Sequence, residues 1–333
     1  MKFLKLLDKV VFKNGNTLIY FFILSCIISR LNLNFYFFDI LSQLGFQIFI
    51  GGFFLIIILL FLKRYKGAII CLIINFIFLF DILYSCKNCN AVAGKDLKNN
   101  NNLKILIFNV EYSNSIENFE KVRTMINLEN PDIIQLAETS GRLSGEVKKL
   151  KKQYPHTLNL DKRKDIFDTV IFSKYPLKNK KDLTDNIVTA TVIKNSKQFN
   201  LISVHFVPVA NKLHTDIAHK QMETVRDYIN KNNKGDYILL GDLNMTLTSK
   251  RFTNFLKDTN LYTNVSLFKP TSTWPAKMQL RFAPEYILIE NFPNVLGIQI
   301  DHILYSSKFK LIDKKTTNSY GSDHRGLIAN LIY

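Results

Sequence analysis

The sequence predicts a mixed α/β globular domain, with a two-layered sheet core and helices outside, preceded by an N-terminal helical region suited to a membrane. Three observations carry this expectation. Apolar residues are unevenly spread over the 333 residues: Phe, Ile and Leu dominate 17–85, whereas 103–333 has the mixed pattern of a soluble domain. In that second stretch, short continuous apolar runs alternate with amphipathic segments, as in packed layers of sheet and helix. Polar groups stand at the ends of those runs, where a carboxylate is costly to bury unless a cation or hydrogen bonds stabilise it.

The N-terminal region is read as residues 1–85. Residues 41–62 and 68–85 each approach the ~20 residues that cross a hydrocarbon core. Residues 17–29 are shorter and run into Arg30, so a first span forms only by extending to about residue 37, with Arg30 snorkelling near its end. A cleaved signal peptide is the rival reading of Lys2, Lys5, Lys9 and Lys13 ahead of an apolar run. Two further spans, and no small-residue cleavage site near Ser29, favour an uncleaved anchor. The short loop Lys63-Arg64-Tyr65-Lys66-Gly67 carries three positive charges, and positive short loops stay in the cytoplasm. Three spans (about 17–37, 41–62 and 68–85) then place everything after Ser85 on the far side of a plasma membrane. Residues 86–102, rich in Asn and Lys, read as a linker, and Cys86 and Cys89 within it could pair in an oxidising compartment.

The domain itself is read as 103–333. Residues 103–109 form a continuous apolar run, fitting a strand covered on both faces. A helix is expected over 116–129, stopped by Pro131, before the strand 133–137 that delivers Glu138. A helix near 145–153 precedes strands at 169–173, 187–193 and 199–205. A long polar-faced helix, 211–231, leads to the buried strand 236–241, and strands at 298–305 and 326–333 close the domain. There is no internal repeat, no G-x-G-x-x-G and no Walker pattern, which removes the common nucleotide-binding loops. The absence of cysteine after residue 89 excludes a thiol nucleophile there. From residue 103 on, 33 Lys+Arg face 23 Asp+Glu, a balance suited to an anionic partner or simply to solubility.

Five short motifs, with one further acid, end these strands: Asn109-Val-Glu111, Glu138, His205, Gly241-Asp242-Leu243-Asn244, Asp301 and Ser322-Asp323-His324. Glu111, Glu138, Asp242, Asp301 and Asp323 are hard oxygen donors, which select Mg2+, Mn2+ or Ca2+ over zinc. His205 and His324 can move a proton or bond a phosphoryl oxygen, a combination suited to attack of water on phosphorus. Ser322-Asp323-His324 is not a serine-hydrolase triad, because three consecutive residues cannot close the required hydrogen bonds and no G-x-S-x-G elbow exists.

The order N-x-E, E, H, G-D-x-N, D, S-D-H resembles the endonuclease/exonuclease/phosphatase superfamily, over about residues 103–333. The resemblance implies a deoxyribonuclease-I-like four-layer α/β sandwich and a phosphoesterase dependent on Mg2+ or Mn2+. With the N-terminal spans, it is similar to a bacterial membrane-tethered branch facing away from the cytoplasm. Carried over by position, Glu138 is the principal metal ligand, supported by Glu111 and Asp323. Asp242 positions or deprotonates the attacking water, oriented by Asn109, while Asn244 and His205 hold the phosphate. His324, polarised by Asp301, stabilises the developing charge or protonates the leaving oxygen. The implied partners are phosphate esters: nucleic acid, or a phospholipid head group if the enzyme is a lipid or inositol-phosphate phosphohydrolase. A degenerate binding or scaffold protein is the non-enzymatic alternative. Leu136-Ala137-Glu138-Thr139 lacks the glutamine that often precedes the metal-binding Glu in this family, which bears on the hydrogen bonds around it.

Overall fold

The computed structural model describes residues 17–31, 36–86, 102–161, 166–184, 186–263, 265, 271–282, 285–289, 291–294 and 296–333. The N-terminal lysines, Cys89 and nearly all of the expected linker lie outside them. The chain forms two units: residues before 88 together with 210–212 and 246–254, and the remainder.

The first unit holds helices α1 (Thr17–Arg30), α2 (Tyr36–Gln43), α3 (Gly45–Phe61) and α4 (Tyr65–Ser85). Only α4 is by itself long and apolar enough to cross a membrane, among the described residues. The expected span 41–62 is not one straight helix, because α2 and α3 meet at a 65° bend. A helix end leaves carbonyls without partners. Here threonine hydroxyls take them: Thr246 Oγ1 donates to Gln43 O (3.0 Å) and Thr248 Oγ1 to Ser42 O (2.8 Å). At 14 residues, α1 is short for a span. Arg30 at its end is ion-paired with Asp81 and donates to Ser85 Oγ, so its charge does not stand alone among apolar helices. Phe54, Phe61, Phe76 and Phe80 remain exposed along α3 and α4.

The second unit contains the sandwich. Its strands are β1 (Asn102–Asn109), β2 (Ile133–Ala137), β3 (His156–Leu158), β4 (Thr169–Ser173), β5 (Leu177–Thr184), β6 (Ile187–Lys194), β7 (Lys197–His205), β8 (Tyr237–Asp242), β9 (Tyr262–Thr263), β10 (Met278–Phe282), β11 (Glu285–Ile289), β12 (Asp301–Tyr305), β13 (Lys310–Thr316) and β14 (Leu327–Ile332). The helices are α5 (Ile116–Glu129), α6 (Ser144–Lys148) and α7 (Lys212–Lys231), while α8 (Lys250–Thr259) is divided between the two units at residue 254. Two six-stranded sheets result, in the orders β13-β14-β1-β2-β4-β3 and β5-β6-β7-β8-β12-β9, with β10-β11 as a separate hairpin.

The central strands are apolar on both faces because both faces are covered. Ile105, Ile107, Ile133 and Ala329 from one sheet join Val188, Leu201, Leu240 and Ile303 from the other in a common core. The opposite face of β1 and β2 (Leu106, Phe108, Ile134, Leu136) packs on Phe119, Val122 and Ile126 of α5. Ser115 caps α5 by accepting from Asn118 N at 3.1 Å, and Asn130 ends it in a left-handed conformation just before Pro131.

Strand direction positions the site. β1 runs parallel to β2 and β7 parallel to β8, while β12 is antiparallel to β8. The C-terminal ends of β1 and β2, and those of β7 and β8, therefore share an edge with the start of β12. Register puts Asp242 beside His205 on one side and Asp301 on the other. Gly241 is needed for that alignment: at φ +138°, a Cβ there would lie 1.9 Å from Val204 O.

Candidate active site

At the end of β1, Asn109 connects the two sheets. Its side-chain amide donates to Glu138 Oε1 (2.8 Å) and Asp242 Oδ2 (3.2 Å), while its Oδ1 accepts from Glu111 N (3.1 Å). Glu138 follows β2 at φ +58°, which turns its carboxylate so that Oε2 accepts from Tyr112 N at 2.8 Å. Burial raises the Glu138 pKa above the usual carboxylate value, partly offset by these bonds. Thus the donors around Glu138 are Asn109 and a peptide N–H, while the neighbouring Thr139 is held by Asp168 (2.8 Å).

Asp242 is buried, and the Asn244 N–H caps its Oδ1 at 2.9 Å. Burial, then the charge of Asp301, pushes its pKa up. Asn244, at φ +50°, donates its amide to Phe206 O at 2.8 Å. His205 packs its ring against Phe167, with centroids 5.4 Å apart, and its Nε2 lies 3.8 Å from Asp242 and 3.9 Å from Glu138. Burial and the neighbouring His324 lower its pKa to about 4, so it is a neutral imidazole at pH 7.

His324 has the opposite character. Its Nδ1 is 2.9 Å from Asp301 Oδ2, and its Nε2 lies 3.7 Å from Asp242 and 3.9 Å from Asp323. Burial opposes the charge, but Asp301, Asp242 and Asp323 outweigh it and raise the His324 pKa, keeping the ring an imidazolium. Ser322 is structural: its hydroxyl donates to Asn109 O (2.8 Å) and accepts from His324 N (3.0 Å). Asp323 stays partly exposed, and its N–H donates to Glu111 Oε2 at 3.1 Å. The nine residues singled out in the sequence form one connected network across both sheets.

Several contributors had no clear signal in the sequence. The Thr273 hydroxyl accepts from Ile300 N and Asp301 N (3.1 and 3.2 Å), fixing the start of β12. Trp274 is 36% exposed and donates its indole N–H to Asp323 Oδ2 at 3.1 Å. Lys277 Nζ donates to Glu111 Oε2 at 2.7 Å. His302 is fully buried, with Nε2 2.7 Å from Met245 O; burial lowers its pKa to about 4 and leaves Nε2–H as the donor. These contacts cross 27 to 166 residues of sequence, beyond the reach of local pattern.

The donor chemistry fits a hard divalent ion. Glu138, Glu111 and Asp323 offer carboxylate oxygens, and the partly buried Glu138, its pKa raised by desolvation, is a group whose ionisation a cation would assist. Asp242, Asp301 and His324 also bring ligand atoms within 4.8 Å of one another. Within that group His324 Nδ1 lies 2.9 Å from Asp301 Oδ2, so this imidazole is already engaged with a carboxylate. Oxygen donors for a divalent ion, a buried carboxylate for water and a fixed imidazolium, set at the edge of an α/β sandwich, define a phosphoester hydrolase.

Residues 106–324 match the Endonuclease/Exonuclease/phosphatase family, and the chain belongs to that family. It is a hydrolase acting on ester bonds through a divalent metal, and its sandwich is deoxyribonuclease-I-like. The fold is similar to an endonuclease/exonuclease/phosphatase from Beutenbergia cavernae DSM 12333 (15% identity, 70% of this chain and 72% of that one, TM-score 0.51). It is also similar to TDP2 from Caenorhabditis elegans (13%, 70% and 74%, 0.51) and to SmcL (17%, 70% and 99%, 0.50). No curated protein matches by sequence.

Proposed function

We propose that this chain is a membrane-anchored phosphodiesterase using Mg2+, with Mn2+ as substitute, that acts outside the cytoplasm of a bacterial cell and takes nucleic acid as its leading substrate class. The observation that carries the chemical part is the unbroken contact path Asp301–His324–Asp242–Asn109–Glu138. A divalent ion held chiefly by Glu138, at the edge that also carries Asp323 and Glu111, would neutralise phosphate charge and polarise the phosphorus.

The chain's own residues supply the remaining chemistry. Asp242, with its raised pKa, is suited to take a proton from the attacking water, and Asn109 orients the carboxylate. Asn244 and the neutral His205 hold phosphoryl oxygens by hydrogen bonds. His324 stabilises the charge that grows on phosphorus and gives its Nε2 proton to the leaving oxygen, while Asp301 holds Nδ1 throughout. Family membership sets the scaffold alternative aside.

The membrane part rests on α4 and the bent α2–α3 pair, with their exposed phenylalanines. That tether gives one specific reason to weigh lipid head groups as substrate. The test uses the full chain in detergent with DNA, RNA, sphingomyelin and inositol phosphates, with Mg2+ and with chelator. Cleavage of nucleic acid that chelator abolishes and His324→Ala loses supports the proposal. Exclusive cleavage of sphingomyelin transfers it to the lipid reading, and equal background from wild type and His324→Ala on every substrate rejects hydrolysis through this site. Protease accessibility of residues 103–333 on intact cells tests the outward orientation.

A further inference from the structure

Lys277 is, among the described residues, the only lysine or arginine ion-paired with any of the nine site residues. Its ammonium is 2.7 Å from Glu111 Oε2 and also donates to Gly321 O. The lysine does not reach this position by chance of a long side chain. The backbone before it is fastened to the motif that ends the site: Arg325 N donates to Thr273 O (2.8 Å) and Ala276 N to Asp323 O (2.7 Å). Glu111 is correspondingly saturated. Its Oε2 receives Lys277 and the Asp323 N–H, and its Oε1 receives the Ser113 hydroxyl at 2.9 Å. Glu138, by contrast, accepts only neutral donors, the Asn109 amide and the Tyr112 N–H.

We propose that Lys277 is a positioning residue for the metal site: a built-in monovalent cation that takes Glu111 as its counter-ion and withholds that carboxylate from the divalent ion. The inference deepens the proposed function and rests on its reading that this edge binds a divalent cation. Like charges repel, so a second cation beside Glu111 must overcome the ammonium at close range, where protein screens charge less than bulk water does. The ion is therefore held chiefly through Glu138, and Glu111 acts as a brace for the Asp323 backbone and an anchor for Lys277.

The test is titration of Mn2+ alone into the full chain in detergent, reading free Mn2+ by electron paramagnetic resonance, with no substrate present. Lys277→Met is expected to tighten Mn2+ binding at least tenfold, and Lys277→Arg, which keeps the charge, to leave it within twofold of wild type. Glu111→Gln should abolish the gain in the Lys277→Met background, a coupling that a double-mutant cycle isolates. Lys277→Gln, which also removes the charge, serves if Lys277→Met fails to fold: Mn2+ binding no tighter than wild type there overturns the inference. Unchanged or weaker binding in folded Lys277→Met overturns it as well, while leaving the hydrolase reading intact. If neither wild type nor Lys277→Met binds Mn2+, both readings fall together.

Discussion

Two imidazoles sit in this site about equally buried, yet one is charged and the other neutral. His205, at the end of β7, has Glu138 and Asp242 oxygens only at 3.9 and 3.8 Å and is neutral at pH 7. His324, in the loop before β14, has Asp301 at 2.9 Å and is protonated. Burial alone would neutralise both, because desolvation disfavours the charged form. The difference is one short bond to a carboxylate that β12 places by register opposite Asp242. In the proposed mechanism His324 accordingly takes the acid role, and His205 a neutral hydrogen-bonding role.

The comparison breaks most visibly if the His324–Asp301 pair is removed. His324→Ala and Asp301→Asn should each lower kcat by on the order of 10³-fold, the scale of a positioned general acid. Because the two act as a unit, the double variant should be no slower than the slower single one, as steady-state rates on a phosphodiester with Mg2+ will show. Removing the neutral ring should cost less. His205→Ala is expected to reduce kcat/KM about 30-fold, the ~2 kcal/mol of one neutral hydrogen bond, with partial recovery in His205→Gln.

His302 sharpens the same contrast through stability. Its folded pKa of about 4 lies below the usual 6.5, so the neutral ring stabilises the fold fully above pH 6.5, and that contribution is lost as pH falls toward 4. Between pH 7 and pH 5 the stability advantage of wild type over His302→Gln should shrink by about 2 kcal/mol, measured by urea unfolding at the two pH values. An advantage that grows on acidification would mean the buried ring is charged.

How much of this was legible depends on where the signal lies along the chain. β1, β2, β4 and β8 are largely apolar and buried on both faces, β7 is buried from Leu201 onward, and all but β4 were readable together with the site residue that ends or follows them. β5, Leu177–Thr184, was not: its lysine-rich middle is exposed, as suits an edge strand protected by charge, and it reads as a loop. β13, Lys310–Thr316, carries a register shift between Leu311 and Asp313 that breaks the alternation a strand would show. In the N-terminal unit the hydrophobic length was plain, but the bend between α2 and α3 was not. The hydroxyls that accommodate it, on Thr246 and Thr248, come from 200 residues downstream. The site shows the same division. Residues fixed by a strand end were visible as motifs, whereas Thr273, Trp274 and Lys277 join only through the fold.

The most direct measurement is a histidine-selective nitrogen-15 NMR titration of the full chain in detergent, with His205→Gln and His324→Gln used to assign the signals. The account predicts that His324 keeps both ring nitrogens protonated at pH 7.5 while His205 shows the shifts of a neutral ring down to pH 5. A neutral His324 at pH 7.5, or two rings titrating together near pH 6.5, would contradict it.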